Sequence, residues 1–167
     1  MKKIFYFFLI NFLFLTNSNA LIEVDITRGN LDPLPIAVSP LHVDIKSENF
    51  KDLKIKELGI NISKIIEKNF RNTGLFNPLK KDAFVQKPDI AHLKPRFEDW
   101  RLIKAQALVT GKLIIKDEKL KVEFRLWDLT AAQEMTALAF TTTPSNWRRV
   151  AHIISDKIYE RLTGEEG

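Results

Sequence analysis

Two apolar runs with period-two alternation constrain the fold of this chain more than any other feature. They flank the polar turn KDEK at residues 116–119. Alternation of this kind is typical of strands with one buried and one hydrated face. It predicts two antiparallel strands, followed by a third in QEMTALAFTTT, with Lys121, Glu123 and Arg125 on the water-facing side. The residues expected to face the core are Val109, Leu113, Ile115, Leu120, Val122, Phe124 and Leu126.

Two other segments repeat apolar residues at helical spacing, as expected for helices lying on a sheet. Gly74 and Gly164 follow them at positions suited to left-handed caps. The second helix is expected to start at Pro144 or Ser145. Lys64, Lys68 and Arg71 are expected to face away from the first stripe. The first stripe consists of Ile55, Leu58, Ile62, Ile65, Ile66 and Phe70, and the second of Trp147, Val150, Ile154, Ile158 and Leu162.

The remaining elements complete an α/β pattern. LPIAVSPL predicts a buried strand, LFNPL and AFVQ a strand broken by Pro78, and RFEDWRLIKA a short helix. Together they predict a mixed β-sheet of about five strands with helices packed on it, as a single domain over residues 34–167.

The first twenty residues have the composition of a secretory signal peptide. Lys2 and Lys3 precede an apolar stretch, and TNSNA ends on small residues. The apolar run is shorter than the roughly 20 residues that span a bilayer, which argues against a membrane anchor. We therefore expect residues 1–20 to be cleaved after Ala20 and the protein to reside in the bacterial periplasm.

The segment after the leader is an alternating strand with a linker behind it. After Leu21, apolar and polar side chains alternate through IEVDIT. Gly29 and Pro33 follow within the segment and linker at residues 21–33, and Pro35 lies just behind it. The strand can join the sheet of its own domain, or it can add to the sheet edge of another protein. From the residues alone these two interpretations are equally good. The candidate partner-binding residues are Leu21, Ile22, Glu23, Val24, Asp25 and Ile26.

The sequence offers little for catalysis. It contains no cysteine, its glycines are scattered, and its three histidines have no metal-ligand spacing. His152 has Asp156 at i+4, and this acid is expected to be its surface partner. Trp147, Arg148 and Arg149 are clustered, but a nucleic-acid site would need more extensive basic clustering, so none is expected. We expect no catalytic, cofactor-binding or metal-binding residue and no small-molecule substrate.

Six segments, in this order, resemble the N-terminal domain of the TolB family. They cover nearly all of residues 21–167, and no single one of them is decisive. The segments are LIEVDITRG, PIAVSP, GLFNPL, LVTGKL, VEFRLWD and WRRVAHIISDKIYERLTGEEG.

The resemblance implies a non-enzymatic periplasmic protein of the Tol–Pal system, whose N-terminal strand binds the C-terminal domain of TolA. It implies roles in outer-membrane integrity, cell division and import of macromolecules such as bacteriocins. It also implies a C-terminal β-propeller that binds Pal, so this sequence is expected to be a piece of a longer protein. The alternative is a small secreted hydrolase or ligand-binding domain that uses His152 or the segment around Arg148.

Overall fold

A computed structural model of the chain describes residues 22–24, 32–45, 57–116 and 118–166. The predicted leader, residues 1–20, lies outside these ranges. The described part contains six strands and four helices, with 3-10 turns at Lys81–Ala83 and Pro144–Asn146. The strands are β1 (Leu34–Val38), β2 (His42–Ile45), β3 (Phe76–Pro78), β4 (Ala107–Lys116), β5 (Lys119–Asp128) and β6 (Gln133–Thr142). The helices are α1 (Leu58–Thr73), α2 (Pro88–Ala91), α3 (Phe97–Leu102) and α4 (Trp147–Thr163).

The strands form one mixed sheet, as predicted, and their order in it is β3-β1-β4-β5-β6. β1 runs parallel to β3 and β4, while β4, β5 and β6 form the expected antiparallel meander. The sixth strand, β2, was not predicted. It continues beyond β1 along the same side of β4, so the two short strands together cover one edge of a ten-residue strand.

The main core lies between one face of the sheet and helices α1 and α4. Both predicted stripes point into it, although Ile65 and Trp147 are only half-buried, and Ile55 lies outside the described residues. The three basic residues predicted to face away from the α1 stripe are exposed. All seven meander residues predicted to face the core are buried there. The period-two and helical patterns therefore identified the face of the sheet and the faces of α1 and α4 that pack against each other.

A second, smaller core covers part of the opposite face of the sheet. Trp100 on α3 is its centre, and the Trp100 ring packs edge-on against Phe84 with 5.0 Å between ring centroids. The side-chain oxygen of Gln86 accepts hydrogen bonds from Trp100 Nε1 and from the Arg96 amide. The prediction that AFVQ continues a strand is wrong, because these tertiary contacts hold residues 84–86 against α3 instead of a neighbouring strand.

Both long helices end at the predicted glycines. Gly74 and Gly164 have φ values of 70° and 76°, the left-handed conformation that glycine adopts without a steric penalty. Pro144, one of the two predicted starts of the last helix, begins a 3-10 turn, and α4 proper begins at Trp147. None of the helices in the described ranges is long and apolar enough to cross a membrane.

Gly59 allows α1 to approach the chain between β1 and β2. A Cβ at this position would overlap the carbonyl oxygen of Leu41, whose amide donates to Gly59 O at 3.2 Å. We expect Gly59→Ala to lower the free energy of unfolding by about 1–3 kcal/mol, because backbone atoms would have to shift. Urea unfolding checks this, with Ile60→Ala as a control on the exposed side of α1. Equal stability of the wild type and Gly59→Ala would contradict the close approach.

Candidate partner-binding site at the N-terminal segment

The described part of the N-terminal segment, Ile22–Val24, lies against its own domain. The Ile22 amide donates to Asp128 Oδ2 at 2.9 Å, and the Val24 amide donates to the carbonyl oxygen of Leu162 at 2.7 Å. The two apolar side chains are half-buried on the main core, while Glu23 is exposed. Of the six candidate residues, Leu21, Asp25 and Ile26 lie outside the described residues.

Asp128, the last residue of β5, is the main anchor of this contact. Its carboxylate is fully buried and accepts three backbone N–H groups. Oδ1 binds the amides of Thr130 and Ala131 at 2.8 Å and holds the turn into β6, while Oδ2 binds Ile22. Hydrogen bonds to a charged acceptor are among the stronger ones in proteins. One side chain therefore joins the β5–β6 turn to the N-terminal segment.

The second anchor is the C-terminal end of α4. The last carbonyl groups of a helix have no partner within the helix, and this end carries a partial negative charge. The carbonyl of Leu162 lies in this last turn, and the Val24 amide satisfies it. The segment thus docks on a helix end and a strand end, with no strand pairing among the described residues.

The site proposed for the hydrolase alternative does not assemble. His152 is exposed, but its Nδ1 lies 3.0 Å from the side-chain amide of Asn69, so the expected surface pairing with Asp156 is replaced by this contact. The same amide donates to Ser155 Oγ at 2.9 Å, and Ser155 in turn donates to the carbonyl of Ala151. The Asn69 amide thus contacts both the His152 imidazole and the buried Ser155 hydroxyl. The two groups therefore do not form the nucleophile–base hydrogen bond that covalent catalysis requires. These contacts join α1 to α4.

A second serine has a cationic neighbour but no access to substrate. Lys81 Nζ donates to Ser63 Oγ at 2.8 Å and lies 3.0 Å from Glu67. Glu67 also pairs with Arg71 at 3.3 Å. Ser63 is fully buried on α1, so this group attaches the 3-10 turn at residues 81–83 to the helix. Its contribution is structural.

The other two histidines, His42 and His92, contact each other. The rings of His42 and His92 stack with 4.5 Å between centroids, and His92 Nδ1 lies 3.0 Å from the carbonyl of Pro88. No local pattern indicated this contact, because 50 residues separate the two histidines. Within the described ranges, no group of three or more His, Cys, Asp or Glu residues is placed to hold a metal ion.

In the basic cluster at the start of α4, Arg148 contacts a neighbouring residue of the same helix. The Arg148 guanidinium lies 4.3 Å from the centre of the Trp147 ring, a cation–π contact at the surface. Arg149 is exposed beside it. Two arginines on one helical turn do not form the basic stripe that a nucleic-acid surface requires.

Comparisons with known proteins identify the family to which this fold belongs. The family model "TolB amino-terminal domain" matches residues 22–135. The Tol-Pal system protein TolB of Pelagibacter ubique (strain HTCC1062) is 67% identical over 164 residues, which cover 97% of this chain and 37% of that protein.

Solved structures share the fold at low sequence identity. TolB from Acinetobacter baumannii matches with a TM-score of 0.63 and 22% identity, over 81% of this chain and 30% of that one. The hypothetical protein CT253 from Chlamydia trachomatis matches with a TM-score of 0.55 and 12% identity, over 79% and 99% of the two chains.

The chain therefore belongs to the TolB amino-terminal domain family. It is a homologue of the Tol-Pal system protein TolB and spans somewhat more than a third of that relative's length.

Proposed function

We propose that this chain is a non-enzymatic periplasmic interaction module of the Tol–Pal system. Residues 1–20 act as the leader, residues 21–33 as the partner-binding segment and linker, and residues 34–167 as the folded domain. The N-terminal strand, Leu21–Ile26, adds to the sheet of the TolA C-terminal domain. The proposal is supported by the alternating sequence of this strand and by the similarity to a Tol-Pal system protein.

The observation that carries the proposal is how lightly the described part of the segment, Ile22–Val24, is docked. Two backbone hydrogen bonds and two half-buried side chains hold Ile22–Val24. A typical hydrogen bond contributes about 0.5–1.5 kcal/mol, and one to a charged group about 1.5–3 kcal/mol. Release of the segment therefore costs a few kcal/mol, which the backbone bonds of a newly formed strand pair can offset.

Docking and partner binding compete for the same donors. The amides of Ile22 and Val24 are two residues apart, and alternate amides of an extended chain point to the same edge. A partner sheet that pairs with this edge needs the two amides now given to Asp128 and Leu162. The docked segment is thus the resting state, and the paired segment is the bound state.

The wider role follows from membership in the Tol–Pal system. The module supports outer-membrane integrity, cell division and import of macromolecules such as bacteriocins. Contact with Pal requires a propeller that follows this domain in the full-length protein. The module acts through protein contacts and uses no cofactor, nucleic acid or small-molecule substrate.

Deletion of Leu21–Ile26 tests the proposal. The deletion is expected to abolish calorimetric binding of the TolA C-terminal domain. It should lower Tm by only a few degrees, because the main core is built from residues outside the segment. Val85→Ala, at an exposed apolar site away from the segment, serves as the control and should bind like the wild type. Unchanged affinity after the deletion would exclude the N-terminal strand as the TolA contact.

A further inference from the structure

β6 lies at an edge of the described sheet, and beyond the bulge at Met135 it carries little of the usual protection against strand pairing. Within the described residues it pairs only with β5. It is ten residues long, and from Met135 to Thr142 it contains no charged residue and no proline. Natural edge strands are usually short, charged, interrupted by proline or covered.

The opposite edge shows what such protection looks like. β3 has only three residues and ends at Pro78, which has no backbone N–H to offer. The edge at β3 is therefore short and ends in a proline, whereas the edge at β6 is long and contains none. In the described structure, the open edge presents alternate backbone N–H and C=O groups that no neighbouring strand uses.

A cleft runs beside the open edge, between β6 and the end of α4. Leu138 projects from the core-facing side of β6 and is 41% exposed, because α4 does not cover it. Thr136 lines the same wall, and the docked Glu23 forms the far end of the cleft. A strand added to β6 would place every second side chain over Leu138 and into this cleft.

The floor of the cleft carries balanced charge. Lys157 Nζ and Glu160 Oε2 are 2.6 Å apart, and the carboxylate holds the pKa of Lys157 above its usual range, so this lysine remains charged. Arg161 donates to the carbonyl of Met135 at 3.3 Å, which leaves Thr136–Thr142 as the open stretch. With Glu23, the two cations and two carboxylates cancel, and the cleft favours an uncharged occupant.

We propose that the open edge of β6, Thr136–Thr142, accepts an extended, uncharged segment of a partner protein. The segment pairs through its backbone and places an apolar side chain on Leu138. The two contacts differ in kind: at the N-terminal strand the chain donates a strand, and at β6 it accepts one. They share one residue in the docked state, because Glu23 lines the cleft beside β6.

The test uses a defined peptide rather than an unidentified partner. The probe is a capped octapeptide of alternating Thr and Val, and the control peptide has the same sequence with every second amide N-methylated. Binding to the purified full chain is followed by calorimetry and by the NMR shifts and hydrogen exchange of the β6 amides. The unmodified peptide should protect amides within Thr136–Thr142, and the methylated one should not bind.

Two matched variants test whether the peptide binds at β6. Leu138→Lys puts a charge at the open edge and should weaken peptide binding at least about tenfold, or 1.4 kcal/mol. Val85→Lys, at an exposed apolar site away from β6, should bind like the wild type. Circular dichroism and Tm should show that both variants are folded.

Three results would overturn the proposal. They are the absence of binding by the unmodified peptide, equal binding by Leu138→Lys, and shifts that map away from β6. A dimer in the analytical ultracentrifuge that Leu138→Lys dissociates would also overturn it, since a second copy of the chain would then occupy the edge.

Discussion

Asp128→Asn is expected to increase affinity for the TolA C-terminal domain by roughly ten- to a hundredfold. The amide oxygen of asparagine can still accept the Thr130 and Ala131 N–H groups that hold the β5–β6 turn. Its NH₂ group then faces the Ile22 amide, so a donor replaces the acceptor Oδ2. Loss of a hydrogen bond to a charged group corresponds to about 1.5–3 kcal/mol. Since docking lowers the apparent affinity, releasing the segment raises it.

Calorimetry with the TolA domain measures this gain, and hydrogen exchange at the Ile22 amide reports the release itself. Asp89→Asn is the matched control, because Asp89 is an exposed carboxylate on α2, away from the segment. The control should bind like the wild type. An Asp128→Asn protein with wild-type affinity and a protected Ile22 amide would show that Asp128 does not hold the segment.

Trp100→Ala is expected to lower the free energy of unfolding by about 3–5 kcal/mol. Trp100 is among the largest fully buried side chains of the domain and fills the second core between α3 and the sheet. Its removal leaves a cavity and takes one of two donors from Gln86. Urea unfolding at constant m-value measures the loss.

Trp100→Phe separates packing from hydrogen bonding. It keeps an aromatic ring against Phe84 and loses only the indole N–H and part of the volume, so the expected cost is about 1–2 kcal/mol. TolA binding should be unchanged in this folded variant, because the segment docks on the main core. A stability loss below about 1 kcal/mol for Trp100→Ala would mean that the second core contributes little.

The spacing of apolar residues and glycines along the chain predicted the buried faces of strands and helices and the ends of the long helices. The alternation around Val122 and the helical stripe around Ile154 each identified a buried face, and Gly164 identified a helix end. β2 was missed because its four residues, after Pro40, depend on pairing with β4 about 70 positions later. AFVQ was misassigned because the partners of Phe84 and Gln86 come from α3 rather than from a strand.

The sequence predicted the N-terminal segment of the candidate site but not the residues on which that segment docks. Alternation from Ile22 to Thr27 predicted a strand in which Ile22 and Val24 face a partner. Nothing in the sequence indicated that Asp128 and the Leu162 carbonyl receive them, since 106 positions separate Ile22 from Asp128. An Asp at a strand end usually binds the turn that follows, and Asp128 does so with its other oxygen.

We propose that the N-terminal segment must leave its own domain to bind TolA. The chain has no cysteine, so Glu23→Cys and Gly164→Cys can be joined selectively by a short bifunctional thiol reagent. A Cβ at Gly164 would lie 3.9 Å from Glu23 Oε1. The linked protein should fail to bind the TolA C-terminal domain, while the same variant capped with a monofunctional reagent should bind it. Equal affinity of the linked and capped forms would contradict the claim.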